Sequence, residues 1–125
     1  MGFDGDAVAA EVRAEFDGYE AALGANDVAA LTGYFWASPL AIRMMTSGGL
    51  YGIDEIAAFR RGRDVSDMAR ELTRVTILPL SRDTAVATAE YRRLGSGRSG
   101  CQTQVWIRRP EGWRIASAHV SLGEG

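Results

Sequence analysis

The sequence is poor in the side chains that build disulfides, metal centres and Schiff bases. Its 125 residues include one cysteine, Cys101, and one histidine, His119, and all fourteen basic residues are arginine, so lysine is absent. A single cysteine excludes an intrachain disulfide and cysteine-based metal clusters, and a single histidine argues against a multi-histidine zinc or iron site. The lack of lysine excludes Schiff-base and lysine general-base chemistry. We therefore expect a protein with no metal and no organic cofactor.

An excess of positive charge and long apolar runs are missing as well. The formal net charge is −2 at pH 7, and no basic stripe alternates with aromatic residues, which argues against nucleic-acid binding. No apolar run approaches the roughly 20 residues that span a bilayer, and the acidic N-terminus is unlike a signal peptide. The sequence predicts a cytoplasmic protein without a membrane partner. Its length, with 46% apolar and 24% charged residues, predicts a single globular domain over residues 1–125.

Helices are predicted in the first half of the chain and strands in the second. Apolar residues recur at helical spacing over residues 12–23, and shorter helices are predicted from Val28 to about Phe35 and from Ile53 to about Arg63. Four β-rich segments with short turns between them follow: Leu72–Leu80, Ala85–Leu94, Gly100–Arg109 and Trp113–Leu122. Such turns predict antiparallel hairpins. The predicted fold class is α+β, with a curved antiparallel sheet wrapped around the N-terminal helices.

Alternation along the last two predicted strands gives a first assignment of faces. His119 falls on the same side as Trp113 and Ile115, and Gln102 shares a side with Gln104. Both sides of these strands carry apolar residues. We therefore expect one side to pack on the helices and the other on a second subunit.

Arg43 lies in an otherwise apolar run, Leu40–Met45, that is typical of a strand. A charge in such a run needs an anion, a carboxylate partner or an exposed edge. The planar guanidinium suits a substrate carboxylate because it can donate two parallel, charge-assisted hydrogen bonds. The structural alternative is pairing with a protein carboxylate, Glu20 or Glu90.

Other candidate residues have a structural and a functional interpretation. Tyr19, on the apolar stripe of the first helix, fills the core or donates a proton to an oxyanion. His119 is a structural residue or a general acid/base. Gln102 and Gln104 are solvent-facing or bind a planar carboxylate, amide or urea. Four residues are predicted to form the pocket wall or to contact substrate: Trp36, Tyr51, Phe59 and Arg60. Arg63 and Arg98 are predicted to be solvated or interface charges.

Ordered spacings between residues 16 and 122 resemble the AtzH-like family. The matching stretches are Phe16-x-x-Tyr19-Glu20, Phe35-Trp36-x-x-Pro39, Arg43, Leu50-Tyr51-Gly52, Phe59-Arg60-x-x-Arg63, Gln102-x-Gln104-x-Trp106, Gly112-Trp113-Arg114-Ile115 and Ala118-His119-Val120-Ser121. That family belongs to the SnoaL-like, nuclear-transport-factor-2-like superfamily, which also contains ketosteroid isomerases. The resemblance implies a cone-shaped α+β barrel of the cystatin-like type, usually a homodimer, with a pocket between the helices and the concave sheet.

The resemblance also implies an activity and points to departures from the family pattern. Relatives are associated with the breakdown of small carboxylated amides and ureas, such as oxalurate or dicarboxyurea, by decarboxylating hydrolysis. Residues matching Tyr19 and Arg43 are those that such an activity needs. Where relatives carry glycine and glutamate, this chain has Met45 and Gly48, and it has Cys101 in place of an arginine. Because this chain lacks both the glutamate and the arginine of that pattern, we expect its substrate to differ from those of the relatives.

The leading prediction is a cofactor-free decarboxylating hydrolase or lyase that acts on a carboxylated urea or amide. Arg43 would bind the carboxylate, Tyr19 would act as acid/base or oxyanion donor, and His119 with Gln102 and Gln104 would position the amide or a water. One alternative is a SnoaL-like isomerase, cyclase or dehydratase with a larger substrate. A second is a non-catalytic dimeric binding or accessory module, since fold does not decide function.

Overall fold

The structure, a computed structural model, describes residues 2–123. In chain order this region forms α1 (Gly5–Ala25), α2 (Val28–Gly33), β1 (Ile42–Met45), β2 (Gly48–Tyr51), α3 (Ile53–Gly62), β3 (Arg70–Ser81), β4 (Thr84–Arg93), β5 (Ser99–Arg109) and β6 (Gly112–Leu122). None of the helices in the described region has the length and apolar character needed to cross a membrane. Helices first and a strand meander second is the predicted α+β order.

Capping side chains fix the ends of the first two helices. Asp4 accepts a hydrogen bond from the Ala7 backbone N–H at 3.1 Å and begins α1. Asn26 ends α1 in the left-handed conformation, with φ 50°, and Asp27 then caps α2. The helix α2 ends at Gly33, before the predicted Phe35, because the chain from Tyr34 onward pairs with β6.

The six strands form one curved, mixed sheet in the order β2-β1-β6-β5-β4-β3. The predicted antiparallel meander from β3 to β6 is confirmed. The sheet is not wholly antiparallel, however, because β1 pairs in parallel with β6. The helix α1 packs against β3 and β4 on the inner face of the sheet. The largest fully buried side chains are Trp106, Tyr91, Phe16, Phe35, Leu31, Ile56, Ile115 and Val12.

A β-bulge interrupts the pairing of β5 with β6. Val105 lies opposite Ser117, whereas the next residue, Trp106, lies opposite Ile115. Ala116 is therefore an extra residue in β6 without a partner on β5. Because side chains alternate along a strand, one extra residue exchanges the inner and outer faces of everything that follows.

The bulge overturns the predicted orientation of His119. Trp113 and Ile115 are buried on the inner face, but beyond the bulge Ala118 is the buried residue and His119 is exposed. His119 therefore lies on the outer face of the sheet, and its predicted sharing of a face with Trp113 and Ile115 is wrong.

Candidate functional site

A cavity of about 270 Å³ lies between the helices and the inner face of the sheet. Four arginines contribute to its polar wall: Arg43, Arg63, Arg70 and Arg93. Its apolar wall includes Leu23, Met45, Phe59, Val120 and Leu122. Within residues 2–123, no aspartate or glutamate lines the cavity. The described lining of the cavity is therefore positively charged and partly apolar.

Arg43 is placed in this cavity by β1, which lies between β2 and β6. The residue is 5% exposed, and its guanidinium lies 4.9 Å from the centre of the Phe59 ring. Its Nη1 is buried and has no hydrogen-bond partner among residues 2–123. In the same region no carboxylate forms an ion pair with Arg43, since Glu20 pairs with Arg70 and Glu90 is exposed. The alternative that Glu20 or Glu90 neutralises Arg43 is therefore wrong for the described part of the chain.

The electrostatic environment of Arg43 favours an anion. Burial, together with the neighbouring cations Arg60 and Arg63, lowers the pKa of Arg43 to about 10, and Tyr19 opposes this change. The guanidinium still carries its charge at neutral pH. A desolvated cation without a counter-charge is costly, and a bound carboxylate would remove that cost.

Tyr19 lines the same cavity from the buried stripe of α1 and is 4% exposed. Arg60, from α3, donates a hydrogen bond from Nη2 to the Tyr19 hydroxyl oxygen. Tyr34 and Phe35 make edge contacts with the Tyr19 ring, at centroid distances of 5.9 and 6.5 Å. Because a guanidinium only donates, the Tyr19 hydroxyl accepts from Arg60 and keeps its own proton for another acceptor.

Arg60 does not contact the cavity as predicted. Its side chain is 2% exposed and lies outside the cavity lining. The guanidinium lies 5.7 Å from the centre of the Tyr19 ring and hydrogen-bonds to the hydroxyl. Arg60 is thus a residue behind Tyr19 that can position the phenol.

Gln102 is fixed in the cavity wall by a closed polar network. Arg70 binds both carboxylate oxygens of Glu20, at 3.2 Å from Nε and 2.6 Å from Nη2. The same Nη2 donates to Gln102 Oε1 at 3.0 Å, and Gln102 Nε2 donates to Glu20 Oε2 at 3.4 Å. The Arg70 guanidinium also stacks 4.2 Å from the centre of the Tyr91 ring. The charge of Arg70 is therefore neutralised, unlike that of Arg43.

Gln104 faces inward but does not reach the cavity. It is buried in the core, where its Oε1 accepts a hydrogen bond from Trp106 Nε1 at 3.1 Å. The amide is committed to this partner, two residues farther along β5 than Gln102. Its predicted role as a substrate contact is not supported by its position.

Three other predicted site residues lie away from the cavity. Trp36 is half-buried beneath the guanidinium of Arg109, which lies 5.5 Å from its ring centre. Tyr51 is 56% exposed on the edge strand β2. His119 is on the outer face of the sheet. The structure thus brings Tyr19, Arg43, Gln102 and Phe59 together at the cavity and leaves Trp36, Tyr51, Gln104 and His119 outside it.

Arg63 is a cavity residue that the sequence analysis missed. It was predicted to be a solvated or interface charge, yet it lines the cavity, and its Nη1 is buried without a partner among residues 2–123. Its guanidinium lies 5.4 Å from the centre of the Phe59 ring, and burial lowers its pKa to about 10. The i, i+4 spacing of Phe59 and Arg63 at the end of α3 is the signal that could have revealed this placement.

Metal ligands do not converge on this cavity. No group of three or more His, Cys, Asp or Glu side chains among residues 2–123 could hold a metal ion. The polar groups that do converge are guanidinium, phenol and amide groups, which suit an organic anion.

Comparison with known proteins places the chain in a family. It matches the AtzH-like family over residues 1–125. A solved structure of a protein of unknown function from Pectobacterium atrosepticum is 45% identical, with a TM-score of 0.88, and the match covers 94% of this chain and 91% of the other. A cystatin-like fold protein from Burkholderia xenovorans is 33% identical, with a TM-score of 0.86 and coverages of 92% and 91%.

A more distant structure shows the same fold. A nuclear-transport-factor-2-like superfamily protein from Salmonella enterica is 23% identical, with a TM-score of 0.76 and coverages of 96% and 94%. No curated protein matches the chain. The match over the full length shows that the chain belongs to the AtzH-like family, and the structural matches show that it has the cystatin-like, nuclear-transport-factor-2-like fold.

Proposed function

We propose that the protein is an enzyme that binds a small carboxylated urea or amide in this cavity and releases its carboxyl group as carbon dioxide. The observation that carries this proposal is Arg43, a buried and unneutralised cation that shares the cavity with the hydroxyl of Tyr19. Arg43 would bind the substrate carboxylate through two parallel hydrogen bonds. Tyr19 would supply the proton that the reaction consumes.

The chemical step follows from these two roles. Arg43 holds the N-carboxylate turned out of the plane of the urea, which removes conjugation with the nitrogen. The bond between the carboxyl carbon and the nitrogen then breaks, the electron pair stays on nitrogen, and carbon dioxide leaves. The Tyr19 proton is transferred to that nitrogen, and the phenolate regains a proton from water. Negative charge moves from the carboxylate to the remaining fragment and then to Tyr19, and the guanidiniums of Arg43 and Arg60 stabilise it throughout.

A SnoaL-like isomerase, cyclase or dehydratase is the second candidate, and the apolar wall of the cavity favours it. Leu23, Val120 and Leu122 could accommodate a larger hydrocarbon skeleton. Such reactions commonly use a carboxylate base, however, and no carboxylate of residues 2–123 lines the cavity. Glu20, which could otherwise serve as such a base, forms an ion pair with Arg70. The proton donor and the cations therefore support decarboxylation more strongly.

The test is turnover of dicarboxyurea, which carries the N-carboxylate that this step cleaves, by the wild type and by two variants. Tyr19→Phe is expected to lower kcat by about 10²- to 10⁴-fold, because it removes the proton donor. It also removes the acceptor of the Arg60 hydrogen bond, so its thermal melt is compared with that of the wild type. Arg43→Gln is expected to raise KM and lower kcat/KM by at least about 100-fold. Arg61→Gln, an exposed arginine on α3, is the control and should retain full activity. A wild type that does not turn over dicarboxyurea but is stabilised by bulky hydrophobic acids would contradict the proposal in favour of the second candidate.

A further inference from the structure

A groove of about 570 Å³ adjoins the inner cavity. The two spaces share five lining residues: Met45, Ser47, Phe59, Arg63 and Arg93. The inner cavity therefore opens into the groove, and Arg63 stands at the junction between them.

Arg63 has no partner that would neutralise its charge, within residues 2–123. The neighbouring carboxylate, Asp64, instead accepts a hydrogen bond from the Ser66 backbone N–H at 2.9 Å. Arg93, on the same junction, differs because it donates to the Asp67 carbonyl at 2.8 Å and lies 3.9 Å from the Asp67 carboxylate. Arg63 is thus the uncommitted cation of the junction.

Arg63 and Arg43 form a pair around one aromatic ring. Their guanidinium carbons lie 5.4 and 4.9 Å from the centre of Phe59, and each has a buried Nη1 without a partner in the described region. One carboxylate accepts the two parallel hydrogen bonds of a single guanidinium. A ligand with a single anionic group would therefore leave the second desolvated cation uncompensated.

We propose that Arg63 is a specificity-determining residue that binds a second anionic group of the substrate at the mouth of the cavity, while Arg43 binds the first. This assignment rests on the proposed function, because it takes Arg43 as the site of the first carboxylate. It takes the place of the sequence-based expectation that Arg60 contacts the substrate, since Arg60 is buried behind Tyr19. The substrate would be a dianion whose two charged groups lie along the Phe59 ring.

Calorimetric titration with matched acids tests this assignment. The probes are succinate and glutarate, each compared with its monoamide, succinamate and glutaramate, which keeps the shape and loses one charge. At constant ionic strength, the wild type is expected to bind at least one diacid at least about tenfold more tightly than its monoamide. Arg63→Gln should remove that preference and leave the Kd of the monoamides within about twofold. The exposed neighbour control, Arg61→Gln, should leave both unchanged.

Three results distinguish failure of the Arg63 assignment from failure of the proposed function. If Arg63→Gln retains the diacid preference, or weakens diacids and monoamides equally, the assignment to Arg63 is overturned. If Arg43→Gln leaves monoamide binding unchanged, the proposed function fails as well, because the first carboxylate is not at Arg43. Arg63→Lys keeps the charge without the planar fork and should retain only part of the preference. If Arg63→Gln does not fold, its thermal melt will show this, and Arg63→Lys then provides the test. An unchanged preference for diacids in Arg63→Lys would contradict the role proposed for the planar guanidinium.

Discussion

At the scale of single residues, the arginines of this cavity differ in what neutralises them. Arg70 is paired with Glu20 inside a closed network, so its charge contributes little to a ligand. Arg43 and Arg63 have buried nitrogen atoms without partners in the described region, and burial lowers the pKa of each to about 10. Both remain protonated at neutral pH. Arg60 also has two buried nitrogens without partners in the described region, but it does not line the cavity. Within the cavity lining, the positive charge available to a ligand is therefore concentrated in Arg43 and Arg63.

The lowered pKa of Arg43 predicts how acid binding depends on pH. Only the protonated guanidinium binds a carboxylate, so affinity is lost as the pH rises through its pKa. Because that pKa is about 10, the Kd of glutaramate should stay constant between about pH 7 and 9 and then weaken towards about tenfold per pH unit. Titration calorimetry across this range checks the prediction. A change confined to about pH 6 to 7 would implicate a group other than arginine.

Arg60 predicts an unusual combination of effects on stability and activity. Replacing a buried cation by an apolar residue of similar volume is often neutral or stabilising, and Arg60 is 2% exposed behind Tyr19. Arg60→Met should therefore leave the melting temperature unchanged or raise it. The same change removes the hydrogen bond to the Tyr19 hydroxyl, so kcat should fall by about tenfold or more while KM changes little.

Measuring the melting temperature together with kcat and KM checks this prediction. The control is Arg61→Met, which replaces an exposed arginine beside it and should change neither quantity. A large loss of stability, or an effect confined to KM, would show that Arg60 does not act through Tyr19.

At the scale of secondary-structure elements, the bulge at Ala116 decides which part of β6 faces the cavity. Val120 and Leu122 line the inner wall, and His119 projects from the outer face. His119→Gln should therefore leave kcat and KM within about twofold and leave the pH–rate profile unchanged. Steady-state kinetics between about pH 5.5 and 8 checks this. If the pH–rate profile of His119→Gln lost its acidic or its basic limb, His119 would take part in the reaction and the prediction would be wrong.

The helices were predictable from the sequence because their signals are local. Asp4, Asn26 and Asp27 define helix ends by contacts within four residues. Tyr19 was placed correctly on the inner side of α1 because the apolar spacing is regular. The orientation of β6 could not be predicted in this way, since an extra residue is recognisable only against the partner strand.

The candidate site was predictable only in part. Arg43 is conspicuous because it is a lone charge in an apolar run. Arg63 follows a polar stretch and has no such contrast, and its burial depends on the packing of Phe59 against two guanidiniums. Gln104 has the same alternation phase as Gln102, so its position in the closed core follows from tertiary packing alone.

At the scale of the whole molecule, the outer face of the sheet carries apolar side chains that nothing in the described region covers. Leu78 and Leu80 are more than half exposed, and Val105 and Ile107 are half-buried on the same face. We propose that this face joins two copies of the chain in a homodimer, because sheets with apolar residues on both faces need cover on both.

The oligomeric state gives a direct test of that interface. The wild type is expected to be a dimer by light scattering coupled to size exclusion. Val105→Glu places a charge at the centre of the outer face and should yield a monomer with unchanged helical content. Arg13→Glu, an exposed site on α1 away from the sheet, is the control. A wild type that stays monomeric at high concentration would contradict the proposal.

The parallel pairing of β1 with β6 links Arg43 to Ala118, a residue near the other end of the chain. Contacts between residues so distant in sequence form late and slowly during folding, because a long loop has to close first. Val120 and Leu122 of β6 line the cavity, so the cavity around the two guanidiniums is incomplete until this last strand is in place. A chain that stopped before β6 would therefore lack one wall of the anion-binding cavity.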